Sequence, residues 1–276
     1  MRADEPENWR EKFNEVYKMD DGEALKRIAP PFIPERKTYY FKDHEDQARA
    51  ISDPPNYFTF HWTGSSYQEW GYGFIGDKGM SLRGVLENVL DMKSYEFELP
   101  KEFEQVRLTG DWMVDVTTQN DAKLAKLCDI IRVAKGPSLK FVEKEQERPV
   151  IVVKGNYTFR PVEGIYDPSA VHLYVGEPDK DEHAGGGSGS FERFLQALGD
   201  RAGMGVVSEV EEPPSKDLSW RTHESSNHKE LAGLPAGENR TEKIKQLLEN
   251  VSKQTGLQLQ VEQRKLSVWV AEPAPK

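Results

Sequence analysis

The chain has one cysteine, Cys128, in 276 residues. That excludes an intramolecular disulfide framework and any zinc site built on several thiolates. Long apolar runs are missing too: stretches such as Val150, Ile151, Val152 and Val153 fall far short of the ~18–20 residues that span a bilayer, so no transmembrane helix is read. Positive charge is scarce, with 37 Lys and Arg against 47 Asp and Glu and a net charge of −10. Such a surface repels phosphate backbones and anionic lipid, and no basic stripe offsets it, so nucleic acid is not an expected partner.

What is present supports a packed core. Apolar residues are 37% of the chain, and 6 Trp, 12 Phe and 10 Tyr add large buried areas. Trp9, Phe13, Val16 and Tyr17 recur at helical spacing and predict an amphipathic helix over 7–19. A short helix is expected over 23–28, extended chain over the prolines of 29–35, and another helix over 42–50. Two aromatic runs, 57–62 and 67–74, flank Thr63, Gly64 and Ser65 and read as a hairpin.

From residue 81 on, one unit reads as written twice. Leu82, Val85, Leu86 and Val89 share their spacing with Phe191, Phe194, Leu195 and Leu198, and Ser81 and Ser190 stand as N-caps. Each helix precedes an alternating strand (95–99; 206–210), a proline, and a strand bearing Trp112 or Trp220. Next come Leu124, Leu127, Cys128 and Ile131, matched by Ile244, Leu247, Leu248 and Val251, with Gly136 and Gly256 as C′ residues. A closing hairpin is expected in each copy, 139–142 with 149–153 and 257–261 with 266–270. Further strands are expected at 157–162 and 171–175, and a polar loop at 224–239.

The expected fold is therefore α+β: two repeated α-β-β-α-β-β modules, each two helices on a small mixed sheet, with an N-terminal helical segment. The expected divisions are an extension over 1–53, a first module with the aromatic hairpin over 54–175, an acidic glycine-rich linker over 176–189, and a second module over 190–273. With its own two apolar helix faces, the second module is expected to fold by itself.

The segment Leu247 to Leu259, followed by a hairpin through Leu266, Ser267, Val268, Trp269 and Val270, resembles the end of the secretin and TonB N-terminus short domain. It is also similar to a related domain of unknown function from soil bacteria. Leu25 to Arg36, with Gly185 to Gly189 and the Trp220/His223 pair, is similar to a planctomycete-type bacterial protein family. The resemblance implies small α+β modules used for periplasmic docking or signalling, and it brings no catalytic residue. Barrel and plug are missing, so export-channel function is not implied.

Chemistry-bearing patterns are sparse. Gly185, Gly186, Gly187, Ser188 and Gly189 lead into a helix, but Phe191 and Glu192 stand where a P-loop needs Lys and Ser or Thr; this reads as linker. His223 and His228 flank Glu224 without the helical spacing of a zincin, and His44, His61 and His172 have no partner at ligand spacing. Asp111 and Asp115 face one side of a strand and are candidate paired acids, although two carboxylates on a solvated sheet face are commoner. No catalytic, cofactor or metal residue is assigned. Cys128 occupies the place of Leu248 and is expected to be a buried, inert thiol.

The leading expectation is a non-catalytic, extracytoplasmic protein-interaction or docking module. Its partner would be another protein, met through a sheet edge or the aromatic surface Tyr57, Phe58, His61, Trp62, Trp70, Trp220 and His223. A small-ligand sensor using the cleft between the modules is the alternative, and a hydrolase with an unrecognised site the weaker one. Arg2 and Ala3 before Asp4, Glu5 and Pro6 read as the tail of a signal-peptide cleavage site, which favours a periplasmic or secreted protein over a cytoplasmic one.

Overall fold

The computed structural model describes residues 14, 17–20, 22–28, 56–74, 79–178, 185–223, 231 and 237–275. They form a mixed α+β structure in two compact units. Unit 1 takes Met1–Lys93, Phe97–Glu143 and Trp269–Lys276; unit 2 takes Ser94–Glu96 and Lys144–Val268. The expected helix over 42–50 and the extended chain over 29–35 lie outside the described residues, as does most of the helix over 7–19.

In unit 1, strands β1 (Leu25–Ile28), β2 (Asn56–Trp62), β3 (Tyr67–Phe74) and β7 (Asp111–Asp115) make one sheet in the order β1-β7-β2-β3. The hairpin read from the aromatic runs is β2–β3, with a bulge between Thr59 and Phe60. The strand β7 lies antiparallel to β1 and parallel to β2. A further pair, β4 (Met80–Ser81) and β6 (Arg107–Leu108), is antiparallel. The expected helix over 23–28 is instead the strand β1. Six residues cannot carry an isolated helix in water, whereas pairing with β7 satisfies the backbone from Leu25↔Val114 to Ile28↔Asp111.

Helix α1 opens at Leu82–Gly84, where the Ser81 hydroxyl accepts the Gly84 N–H at 3.0 Å. It continues in π geometry over Val85–Val89, with Leu90 N–H bonded to the Val85 carbonyl. After the two-residue strand β5 (Phe97–Glu98) and β7 comes α2 (Asn120–Val133). Apart from Cys128, both helices bury their predicted stripes against Leu25, Trp112 and Val114. Lys135, not Gly136, takes the left-handed conformation after α2. Glycine is needed at 136 for room, because a Cβ there would stand 2.6 Å from Ile131 Cγ2.

In unit 2, β9 (Val171–Leu173), β10 (Gly186–Gly189) and β12 (Leu218–Thr222) form a sheet in the order β10-β12-β9. Helices α3 (Phe191–Ala202) and α4 (Glu238–Thr255) share a core with Trp220, Val171, Leu173, Ile151 and Val153. Ser190 caps α3, and Gly256 ends α4 at φ 69°. Residues 157–162 are not a strand. Thr158 and Arg160 give their N–H groups to the carbonyls of Thr255 and Gln254, satisfying the end of α4. Gly186–Gly189, within the segment read as linker, is a strand paired with β12, and Gly186 and Gly187 lie too close to Trp220 and Arg221 for a side chain. A Cβ on Gly187 would stand 2.6 Å from the Trp220 ring.

The two expected closing hairpins do not form. Each is one long strand, β8 (Leu139–Lys154) and β13 (Gln258–Pro273), and with β11 (Gly205–Ser208) and β5 they give the order β11-β8-β13-β5. Residues 143–148 and 262–265 are Glu, Lys, Gln and Arg, with none of the Gly, Asn or Asp that a tight hairpin turn requires. The strand β8 starts in unit 1 and ends in unit 2; β13 does the reverse. Within unit 2, β11 lies parallel to Val150–Val153; within unit 1, β5 lies parallel to Trp269 and Val270. Six-element modules closed by hairpins are thus not what the chain builds.

The Gly187 contact is directly testable. Trp220 packs on Phe194, with ring centroids 6.3 Å apart, so the indole cannot retreat freely. Gly187→Ala is expected to destabilise the protein by ~1–3 kcal/mol by overpacking. Urea denaturation followed by tryptophan fluorescence measures this, and an unchanged midpoint would contradict the contact.

Candidate functional site

A groove of about 710 Å³ lies in unit 2 between α4 and the start of β13. Thr241, Ile244, Leu248 and Ser252 recur at helical spacing and so present one stripe of α4 to it. Met204, Leu259 and Val261 complete an apolar floor. Among the described residues the rim carries Arg240, Lys245 and Lys253 and one acid, Glu249. The Arg240 guanidinium donates to the carbonyls of Leu231, Ala202 and Gly203 at 3.2, 3.0 and 3.3 Å. Carbonyls hold it in place without neutralising it. Lys245 is 3.9 Å from Glu249.

The strand edge beside this groove matters as much as its floor. One side of β13 meets β8, while β5 matches only Trp269 and Val270 on the other. Over 258–268 no strand lies on that second side among the described residues. Charges guard the later part of the edge: Glu262 meets Lys154 at 3.3 Å, and Arg264 meets Glu209 at 3.0 Å. The first four residues, Gln258, Leu259, Gln260 and Val261, carry no charge, and three of them line the groove.

A second arrangement in unit 2 is a buried histidine pair. His172 Nδ1 lies 2.7 Å from His223 Nε2, and His172 Nε2 lies 3.0 Å from the Asp167 carbonyl. A carbonyl only accepts, so with both rings neutral His172 carries its proton on Nε2, and His223 donates from Nε2 to His172 Nδ1. Gln254 reaches from α4 to both the N–H and the carbonyl of His172, and Asn250 donates to the Tyr174 carbonyl. Together these groups fasten β9 to α4 and β12. His172→Ala strands the His223 donor in the interior and is expected to cost ~1–3 kcal/mol, read as a lower urea midpoint.

The expected aromatic surface is spread over both units. On β2, Phe58 and Trp62 share one face and are buried, Trp62 against Tyr67 at 4.8 Å. Tyr57 and His61 point to the opposite face and are half-buried. Trp70 lies on β3, and its side chain is outside the described residues. In unit 2, Trp220 and His223 are buried among Phe194, Gly187 and His172. Glu224, His228 and His44 also lie outside the described residues. Cys128 is half-buried rather than buried, and burial pushes its thiol up to about 11, well above reach of thiolate chemistry. Asp111 accepts the Phe58 N–H at 2.8 Å while Asp115 accepts the Thr117 N–H and hydroxyl, so each carboxylate holds backbone in place.

Sequence reasoning missed a group in unit 1. The strands β2 and β7 run parallel, and their carboxyl ends carry His61 and Asp115. Lys123 stands in the first turn of α2, and Asp91 follows α1 at φ 54°. Burial lowers the pKa of His61, with Asp91 opposing and Lys123 reinforcing the effect; burial likewise lowers Lys123, with Asp115 and Asp91 opposing. The carboxyl ends of parallel strands are a recurrent place for ligands. Only the tertiary fold joins these four residues, which no local spacing could signal. Among the described residues no three His, Cys, Asp or Glu are placed to hold a metal ion, and no helix is long and apolar enough to cross a membrane.

No family model, curated protein or solved structure matches the chain.

His61 gives a pH signature. Its folded pKa is depressed below the unfolded value of ~6.5, so the unfolded chain takes the proton more readily. The stability contributed by neutral His61 is complete above about 6.5 and is lost as pH falls through the folded pKa. His61→Gln should therefore flatten the dependence of unfolding free energy on pH across this window, measured by urea titrations. Parallel curves for the two proteins would contradict the assignment.

Proposed function

We propose that the chain is a non-catalytic binding module and that unit 2 receives an extended segment of another protein in the groove along α4. The observation that carries this reading is the juxtaposition of an apolar floor with an uncharged strand edge that no other described strand pairs. An extended peptide laid beside Gln258 to Val261 would bond its backbone to β13 and turn alternate side chains onto Ile244, Leu248 and Leu259. The rim selects the flanks of that peptide. Three cations against one acid, on a chain of net charge −10, favour acidic residues beside the apolar ones.

The proposal keeps two further elements. Apart from β6, which only the first copy has, the order helix, short strand, Trp-bearing strand, helix, long strand occurs in α1, β5, β7, α2, β8 and again in α3, β11, β12, α4, β13, which supports descent from a duplicated unit. A docking role outside the cytoplasm agrees with the resemblance of the 247–270 segment to periplasmic docking domains.

The test is a fluorescent peptide of alternating Val and Thr flanked by Glu, titrated against the full chain by anisotropy, with a Lys-flanked peptide as control. Val261 is 45% exposed, so Val261→Glu leaves the fold intact. The acidic peptide should bind, more weakly as salt rises, and Val261→Glu should weaken it by roughly tenfold, about 1.4 kcal/mol. Equal binding of both peptides, or no effect of Val261→Glu, would overturn the reading. Binding of dodecanoate in the groove without the peptide would replace the partner protein by a small anionic amphiphile.

A further inference from the structure

We propose that the buried contact between His172 and His223, in unit 2, is an acid-operated latch: it holds one added proton but not two, and the second parts β9 from the end of β12. The inference rests on unit 2 alone and is independent of the groove.

The limit follows from counting protons on the four ring nitrogens. His172 is 1% exposed and His223 6%, so partners inside the protein decide where the protons sit. His172 Nε2 lies 3.0 Å from the Asp167 carbonyl, which only accepts, so this nitrogen carries a proton. His172 Nδ1 and His223 Nε2 are 2.7 Å apart, a hydrogen-bond distance with room for one proton between them. The fourth nitrogen, His223 Nδ1, can be protonated or bare without changing that contact. The closed pair therefore holds two protons when neutral and three when singly charged. A fourth proton would set two N–H groups against each other across the same contact, and the rings must separate.

The backbone around the rings is fixed, so they cannot yield by sliding. Gln254 of α4 accepts the His172 N–H at 2.8 Å and donates to the His172 carbonyl at 2.9 Å. His223 gives its N–H to the Leu173 carbonyl at 3.2 Å, continuing the β12–β9 pairing that ends at Thr222↔Leu173.

The neighbouring charges do not relieve a second added proton. Asp167 is engaged by Arg221 at 2.6 Å and by the Ser169 hydroxyl at 2.6 Å. From α3, Arg201 donates to the His223 carbonyl and adds a cation. The helix α4 contributes the neutral Gln254 and Asn250. Tyr174 meets the His223 ring edge-on at 5.8 Å, and burial raises its pKa, which keeps it neutral.

The direction of the response follows by linkage. Once the contact parts, each imidazole takes its own proton as pH falls through about 6.5, the ordinary histidine value. The open form then binds at least one proton more than the closed form, so acid favours opening. Well below that value the opening equilibrium should rise roughly tenfold per pH unit.

The test is amide hydrogen exchange on the full chain between about pH 6 and 5, corrected for the intrinsic rate. The N–H groups of His172 and His223 should lose protection roughly tenfold per pH unit relative to Glu209, whose N–H is bonded to the Val153 carbonyl beside β11. His223→Gln keeps a donor for His172 Nδ1, and its amide can turn to accept once that nitrogen is protonated, so it should abolish most of the slope. Nitrogen NMR of the histidine rings in the wild-type chain gives the proton count without a variant, and no more than three of the four nitrogens should be protonated while the fold is closed. A closed protein with all four protonated would overturn the proposal. So would protection at His172 and His223 that tracks Glu209 as pH falls, or a slope that survives His223→Gln.

Discussion

Val150, Ile151, Val152 and Val153 have no exposed surface, and the structure hangs on where they come from. They are the far end of β8, whose first residues belong to unit 1. Burying a valine or isoleucine side chain contributes about 1.5–3 kcal/mol, and Ile151 and Val153 belong to the core cluster of unit 2, so that core depends on this strand. The reverse dependence holds for unit 1, where Trp269 and Ala271 of β13 join the cluster of α1 and α2. Each unit is therefore completed by a strand from the other half of the sequence. Lys140 with Glu272, and Lys154 with Glu262, bind the two strands to each other near opposite ends.

The helices were legible because their signals are local. Ser81 and Ser190 cap as read, and the stripes Leu124, Leu127, Ile131 and Ile244, Leu247, Val251 are buried as the spacing required. The aromatic hairpin was legible for the same reason, its turn residues standing between two alternating runs. A charged interruption of an apolar pattern is not by itself a turn. Residues 143–148 and 262–265 break the apolar pattern because those stretches of β8 and β13 are exposed, and no residue there can take a hairpin's positive φ at low cost. The glycine run misled in the opposite sense. It reads as a flexible linker, yet Gly186 and Gly187 are glycine because β12 and Trp220 stand too close for a side chain.

The candidate sites were less legible than the fold, and the cause is physical. The groove joins a helix stripe that looks like ordinary core to four uncharged residues of a strand edge, and neither pattern is distinctive until the pairing of β13 among the described strands is known. The unit 1 group gathers His61, Asp91, Asp115 and Lys123 from four separate stretches of chain. Trp62, Phe58, Trp220 and His223, by contrast, stood out in sequence through aromatic density and are largely consumed by packing.

The exchange of β8 and β13 is the central claim, and cutting the chain tests it most directly. A specific protease site is placed between residues 178 and 185, and the cleaved protein is run on size exclusion under native conditions. Residues 1–178 lack the β13 end that completes unit 1, and residues 185–276 lack the Val150–Val153 strand that completes unit 2. The two pieces should therefore remain one species at the size of the intact chain, with unchanged tryptophan fluorescence, and should unfold together in urea. Two pieces that separate and each stay folded would contradict the account.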